Sequence, residues 1–237
     1  MKRILFMKRS AVLCGIGLIA VAAAVASIGV GYSLLGDAAY LTPGHNSNRA
    51  VSLTSSGSTG TYSGVDIAVP KGLKFSELTN LATDFMITAG DCGGGSPRFQ
   101  VNVGGQNVFV YLGSAPNFIN CDKNTWLSTG NLIASTDLRF DTSKVGGKFY
   151  DDHAGALALV GGQVVTGIQL VVDSGWMFGP SGTQTVVVDN VVVNGVTATF
   201  EFTMDDCKNG GWQNFVSAPG PFKNQGQCVS YFANGGK

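Results

Sequence analysis

The chain has 237 residues, of which 13% are charged and 44% hydrophobic, with 34 glycines, five cysteines and equal numbers of basic and acidic side chains (15 each). The balance is uneven along the chain. Lys2, Arg3, Lys8 and Arg9 precede residue 10 and all acids lie at or beyond Asp37, so the part after residue 36 carries 11 basic against 15 acidic groups, a net charge of −4. A mildly acidic domain has no electrostatic footprint for a phosphate backbone, which excludes nucleic acid as a partner.

The basic opening "MKRILFMKRS" is followed by an uncharged run from Ala11 to Gly36. A positive flank ahead of an apolar run is the pattern of an export signal, its basic end staying cytoplasmic. The run is longer than the roughly 7–15 residues of a cleaved signal and reaches the roughly 20 needed to cross a bilayer. Ala24-Val25-Ala26 supplies a small-x-small cleavage site, so residues 1–36 read as a signal peptide or as a signal anchor holding the protein to the membrane through residues 11–36. Cys14 follows Leu13, too large a neighbour for lipid attachment, and reads as an apolar residue of the signal.

Residues 37–60 are polar and Ser/Thr/Gly-rich, part linker and part first strand. Residues 61–203 hold the strand signals. "VDIAVP" and "DFMIT" are short and β-branched or aromatic; "RFQVNV" and "NVFVYLG" flank Gly104-Gly105 with hairpin chemistry. "TGIQLVVDSG" and "TQTVVVDNVVVNG" follow, and the latter turns at Asn194-Gly195 into "VTATFEFTM". There Val196, Ala198, Phe200 and Phe202 alternate with polar residues, predicting one covered and one wet face. Only "DHAGALALVGG" suggests a helix, with Asp152 as cap and Gly161 as stop. The fold class expected is all-β: an antiparallel, jelly-roll-like β-sandwich with one short helix and a C-terminal appendage at 204–237.

Cys92, Cys121, Cys207 and Cys228 lie beyond the signal, and an even number in an exported chain reads as disulfides. Four cysteines allow three connectivities; the sequence-local pairing is Cys92–Cys121 with Cys207–Cys228. No short-spaced ligand pair favours zinc and no C-x-x-C favours redox chemistry.

Catalytic signatures are missing: no G-x-S-x-G elbow, H-E-x-x-H or Walker loop is present. Glu77 and Glu201 are the only glutamates, so a glycosidase would depend on aspartates. The expectation is therefore a non-enzyme with no catalytic residues and no organic cofactor. The densest polar cluster, "RFDTSKVGGKFYDDHAG", contains an Asp152-His153 pair that helix capping explains without chemistry. Asp137, Asp141 and Asp151 form an oxygen-rich set suited to structural Ca²⁺.

Trp126, Trp176 and Trp212 sit among Asn, Asp, Gln and Gly, where sugar C–H faces stack on rings and hydroxyls meet amides. With Tyr150 and Asp151 they are the candidate ligand contacts; the competing reading is that each tryptophan caps the core.

"SGWMFGPSGTQTVVVDNVVVNG" resembles the closing strands of secreted jelly-roll sandwiches, including concanavalin A-like and carbohydrate-binding modules. "CKNGGWQNF…FKNQGQCVSYF" resembles the C-terminal signature of a group of uncharacterised exported bacterial proteins. These resemblances imply bacterial export and an all-β fold, and they bring no catalytic residue. The expected function is glycan or cell-envelope polysaccharide binding at the cell surface. A structural or adhesive role through protein contacts is the alternative, with a glycoside-active enzyme behind it.

Overall fold

Period-2 alternation decides which face of each strand is covered. In the computed structural model, residues 31–58, 60–215 and 219–234 are described. Residues 1–30, with Cys14 and the Ala24-Val25-Ala26 site, lie outside them. In chain order the elements are β1 (Tyr32–Gly36), β2 (Ala39–Leu41), β3 (Ala50–Ser56), β4 (Ser63–Ile67), β5 (Leu81–Ala89), β6 (Arg98–Val103), β7 (Gln106–Tyr111), β8 (Leu127–Ser128) and β9 (Phe140–Asp141). Helix α1 (His153–Val160), β10 (Val165–Val172), β11 (Thr183–Val193), β12 (Val196–Ala198) and helix α2 (Gln225–Ala233) complete the described chain.

The strands form two antiparallel sheets, β1-β4-β10-β6-β7-β9 and β2-β3-β11-β5-β8, with β12 also on β11. Phe99, Val101 and Val103 of β6 and Ile168 and Leu170 of β10 point inward and meet Leu53, Phe85, Ile87, Val186 and Val188 of the other sheet. Burying each such side chain contributes about 1.5–3 kcal/mol, so this interface dominates the stability of the sandwich. Gly104 and Gly105 take positive φ, as a two-residue hairpin turn between β6 and β7 requires.

Strand structure is already present ahead of residue 37. Tyr32–Gly36 form an edge strand on β4, and Tyr32 and Leu34 pack against the core. A short strand and the tail of a signal are both apolar, so composition does not separate them. The segment read as part linker supplies β2 and β3, which puts the start of the sandwich before residue 61.

The last predicted strand is shorter than its alternation suggests. β12 stops at Ala198 and Val196 is 39% exposed, although Phe200 is fully buried. The carbonyls of Phe200 and Glu201 are taken by the Arg49 guanidinium, which replaces further ladder bonding. The Glu201 carboxylate accepts the Asn48 N–H at 2.9 Å.

Both sequence-local disulfides are present, Cys92–Cys121 and Cys207–Cys228. Cys207, Phe215, Phe222 and Cys228 form a second small core, covered by Phe202, Trp212 and Phe232. The second helix, α2, escaped the sequence reading because it is short and Gly/Gln-rich. Asn224 caps it by accepting the Gln227 N–H at 2.9 Å, and the Gln227 side chain accepts the Lys223 N–H at 2.6 Å. The Lys223-Asn224 pair is thus a helix start.

Non-reduced protein is expected to show no thiol from Cys92, Cys121, Cys207 or Cys228; a titre of two or more beyond Cys14 contradicts the pairing. The Cys207→Ala/Cys228→Ala variant should lose about 3 kcal/mol in chemical denaturation, since the bond closes a loop of separation 21.

Candidate functional site

Strand register places one set of side chains on the outer face of the sheet beginning with β1. One row runs Leu35, Gly64, Val171, Arg98, Tyr111 across β1, β4, β10, β6 and β7. The adjacent row runs Ser33, Asp66, Gln169, Gln100, Phe109 and reaches Asp141 on β9. Asn102, two positions beyond Gln100, extends the same face.

The amides of this face are joined to one another. Asn102 Nδ2 donates to Gln169 Oε1 at 3.0 Å, Gln100 Nε2 to the same oxygen at 3.3 Å, and Gln169 Nε2 to Asp66 Oδ1 at 2.7 Å. Arg98 binds Asp173 with two parallel hydrogen bonds of 2.7 Å and lies 4.6 Å from the centroid of the Phe109 ring. Such a fork-to-fork pair is geometrically fixed, so the guanidinium is a rigid part of the floor.

Two contiguous hollows open on this face. One, of about 430 Å³, is lined by the Gly93–Pro97 loop, Phe109, Tyr111, Asp141, Phe149, Tyr150 and Trp176. The other, of about 590 Å³, is lined by Leu35, Tyr62, Gln100, Asn102, Gln169 and Val171. Arg98 and Asp173 line both. Trp176, Phe149 and Tyr150 are 61%, 65% and 51% exposed, so three open aromatic surfaces face one hollow. Tyr111 is buried and donates its hydroxyl to Asp141 Oδ2 at 3.0 Å; burial and then the Asp141 carboxylate hold its phenol well above the usual tyrosine range.

Buried polar bonds hold the rim. Gln184 Oε1 accepts from Ser96 Oγ at 2.7 Å and from the Ser174 N–H at 3.2 Å, while its Nε2 donates to the Asp91 and Ser96 carbonyls. Asp91 Oδ1 accepts both the Cys92 and Cys121 N–H groups at 2.8 Å. One buried amide thereby ties the disulfide loop to the segment carrying Trp176.

Of the five candidate ligand contacts, the structure brings Trp176 and Tyr150 together. Trp126 instead stacks on His45 at 4.8 Å, where His45 Nδ1 and Asp84 Oδ2 are 3.0 Å apart. Burial alone would raise the Asp84 carboxyl, but hydrogen bonds from Asn190, His45 and Ser128 outweigh it and hold the group below its ordinary value. Trp212 covers the small core of the appendage. Asp151 is 6% exposed and accepts from Thr142 Oγ1 at 2.8 Å, which makes it a structural group.

The aspartates proposed for Ca²⁺ are not a ligand set. Asp137 clasps the Arg139 guanidinium, Asp141 holds Tyr111 and the Ser143 N–H, and Asp151 holds Thr142. Among the described residues no group of three or more His, Cys, Asp or Glu is placed to hold a metal ion. Spacing in the chain brought these carboxylates near one another, and each has been taken by its own partner.

The Asp152-His153 pair is structural as well. Asp152 Oδ1 accepts the Gly155 N–H at 2.7 Å, capping α1 as its position predicts. The His153 ring stacks on Phe140 at 5.5 Å, and its Nε2 is buried without a hydrogen-bond partner. Burial pushes the imidazole below its ordinary value of 6.5, partly offset by Asp152. The unfolded chain therefore takes up this proton first, and stability falls as pH drops through about 6.5. His153→Phe should flatten the decline of the urea midpoint between pH 7.5 and 5.5; an unchanged slope would show that other groups control it.

Sequence reasoning missed Arg98, Gln100, Asn102, Phe109, Gln169 and Phe149. A weak signal was present: in "RFQVNV" the wet positions carry Arg, Gln and Asn, long donors and acceptors where short hydroxyls would suffice.

The architecture and face define a two-sheet antiparallel β-sandwich carrying one broad polar-aromatic surface. No protein-family model and no curated protein sequence matches the chain. Among solved structures it is similar to a family 11 carbohydrate-binding module of the cellulosomal cellulase Lic26A-Cel5E of Clostridium thermocellum. That likeness has 13% identity and a TM-score of 0.40, covering 71% of this chain and 88% of that one. It is also similar to an exo-beta-agarase, at 15% identity and a TM-score of 0.33, over 71% of this chain and 24% of that chain. Neither likeness assigns a ligand to this chain.

The two disulfides suit an oxidising compartment. Among the described residues no helix is long and apolar enough to cross a membrane.

Proposed function

We propose that the protein is an exported, non-catalytic β-sandwich that binds glycan through the outer face of the β1-β4-β10-β6-β7-β9 sheet. The observation that carries this reading is the junction of an amide floor (Gln100, Asn102, Gln169) with exposed rings (Trp176, Phe149, Tyr150) across the Arg98–Asp173 pair. Sugars present apolar C–H faces edged by hydroxyls, and this surface offers ring faces beside groups that donate and accept. The carboxylates of the face are already accepting hydrogen bonds: Asp66 from Gln169, Asp141 from Tyr111 and Asp173 from Arg98. Each is engaged as an acceptor within the face, which suits a fixed binding surface. Export follows from the basic and apolar N-terminal segment. Release after Ala26 would leave β1, which begins at Tyr32, intact.

The test is a polysaccharide binding screen by isothermal titration with the full chain, beside Trp176→Ala. Trp176 is 61% exposed, so its loss should leave the unfolding midpoint within about 0.5 kcal/mol of the parent. Affinity should fall about tenfold, equivalent to about 1.4 kcal/mol. Absence of binding at millimolar sugar, or an unchanged affinity in the variant, would remove the proposal.

A further inference from the structure

We infer that the face takes an internal stretch of an uncharged polysaccharide, in place of a chain end or an anionic envelope polymer. This deepens the glycan reading above and rests on it.

The shape of the face favours an internal stretch. The two hollows, about 430 and 590 Å³, share Arg98 and Asp173 as common lining, so they form one groove with the ion pair between its halves. Each is the size of a small-ligand pocket, and together they exceed what one or two sugar rings need. The groove crosses the strands: register carries one row from Ser33 on β1 to Asp141 on β9. At the usual spacing between neighbouring strands that row extends about 24 Å. Rings stand beyond the ion pair on both sides, Tyr62 (54% exposed) lining one half and Trp176 the other. A ligand touching both must run through the middle.

The charge of the groove favours a neutral polymer. The ionisable groups lining the groove are Arg98 and Lys144 against Asp141 and Asp173, and Asp66 adjoins them through Gln169. Arg98 is committed to Asp173 and stacked on Phe109, which leaves Lys144 as the one cation of the lining without an ion-pair partner among the described residues. With Arg98 and Asp173 cancelling as a pair, a polymer bearing a carboxylate or phosphate on each unit would meet two aspartates, Asp66 and Asp141, against the single cation Lys144, and like charges at close range disfavour it. Hydroxyls, by contrast, find neutral amides along the floor, which donate and accept without desolvating a net charge.

The test is isothermal titration of the full chain with neutral gluco-, xylo-, galacto- and manno-oligosaccharides from two to six units, beside oligogalacturonates of the same lengths. The expected result is binding to a neutral series. Affinity should rise at least tenfold from dimer to hexamer and change less than twofold between 50 and 500 mM salt. Gln169→Ala should weaken the hexamer about tenfold and compress the gain with length. Binding confined to oligogalacturonate, weakening with salt, would overturn the neutral class while leaving glycan binding intact. An affinity already saturated at the dimer would overturn the internal-stretch mode. No binding to any series would remove the glycan reading and this inference with it.

Discussion

Replacing Arg49 by alanine should lower the unfolding free energy by about 4 kcal/mol, because it breaks a part-buried ion pair with Asp206 and leaves two carbonyls without their donor, each such loss costing about 1–3 kcal/mol. Arg49 is 4% exposed and lies between the Tyr40 and Phe202 rings, 3.9 and 4.2 Å from their centroids. Its Nη1 donates to Asp206 Oδ1 at 3.1 Å and its Nη2 to the Glu201 carbonyl at 3.2 Å, with Nε on the Phe200 carbonyl. One side chain thus ties the end of the sandwich to the start of the disulfide-closed appendage. With alanine the Phe200 and Glu201 carbonyls lose their donor, and the segment has no ladder to fall back on. The Cys207–Cys228 bond and its small core should persist, so the appendage should detach as a closed loop. Urea denaturation reads the stability, and limited proteolysis reads new cleavage between residues 199 and 206. A loss under 1 kcal/mol with unchanged proteolysis would show that Phe200, buried against Tyr32 at 5.0 Å, holds the appendage unaided. Arg49→Lys should recover little, since an ammonium cannot span three acceptors in one plane.

Gln184→Leu should cost a similar amount, about 4 kcal/mol, since each buried group left without its partner costs about 1–3 kcal/mol. Gln184 is fully buried, and leucine in its place leaves the Ser96 hydroxyl and the Ser174 N–H without their acceptor and the Asp91 carbonyl without its donor, while the Ser96 carbonyl keeps the Gly93 N–H. The two segments that lose their tie are those bearing Gly93–Pro97 and Trp176, which line the groove. Glycan affinity should therefore fall together with stability, although Gln184 does not line either hollow. The pair of measurements is urea denaturation and titration of the same preparation. Intact stability would show that the pocket of partners relaxes around leucine; lowered stability with full affinity would show that Trp176 is held by other contacts.

The fold was largely legible because its signals are local. The Gly104-Gly105 hairpin, the β11–β12 turn at Asn194-Gly195 and the Asp152 cap each depend on a few adjacent residues, and all three appear where the sequence places them. The disulfides were legible because the favoured pairing is sequence-local, with separations of 29 and 21. Helix α2 was not, since its cap sits in a stretch whose glycine and glutamine mask the periodicity. The end of the β12 alternation was not either, because Arg49 acts on it from 151 residues away.

The candidate face divides in the same way. Aromatic residues in polar surroundings drew attention to Trp126, Trp176 and Trp212, which look alike in sequence. Their contacts set them apart: one stacks on His45, one stands open over a hollow, one covers the small core. Residue type and spacing by themselves determined the strand content, the acidic character of the part after residue 36, the basic-then-apolar N-terminal pattern and the cysteine pairing favoured. Tertiary structure alone decided which side chains share a face, because that depends on register between strands distant in the chain. Gln169 reaches Asp66 across 103 positions, and Arg98 reaches Asp173 across 75. A one-residue slip in any of those pairings would turn that strand's members of the face toward the core, which no local pattern can specify.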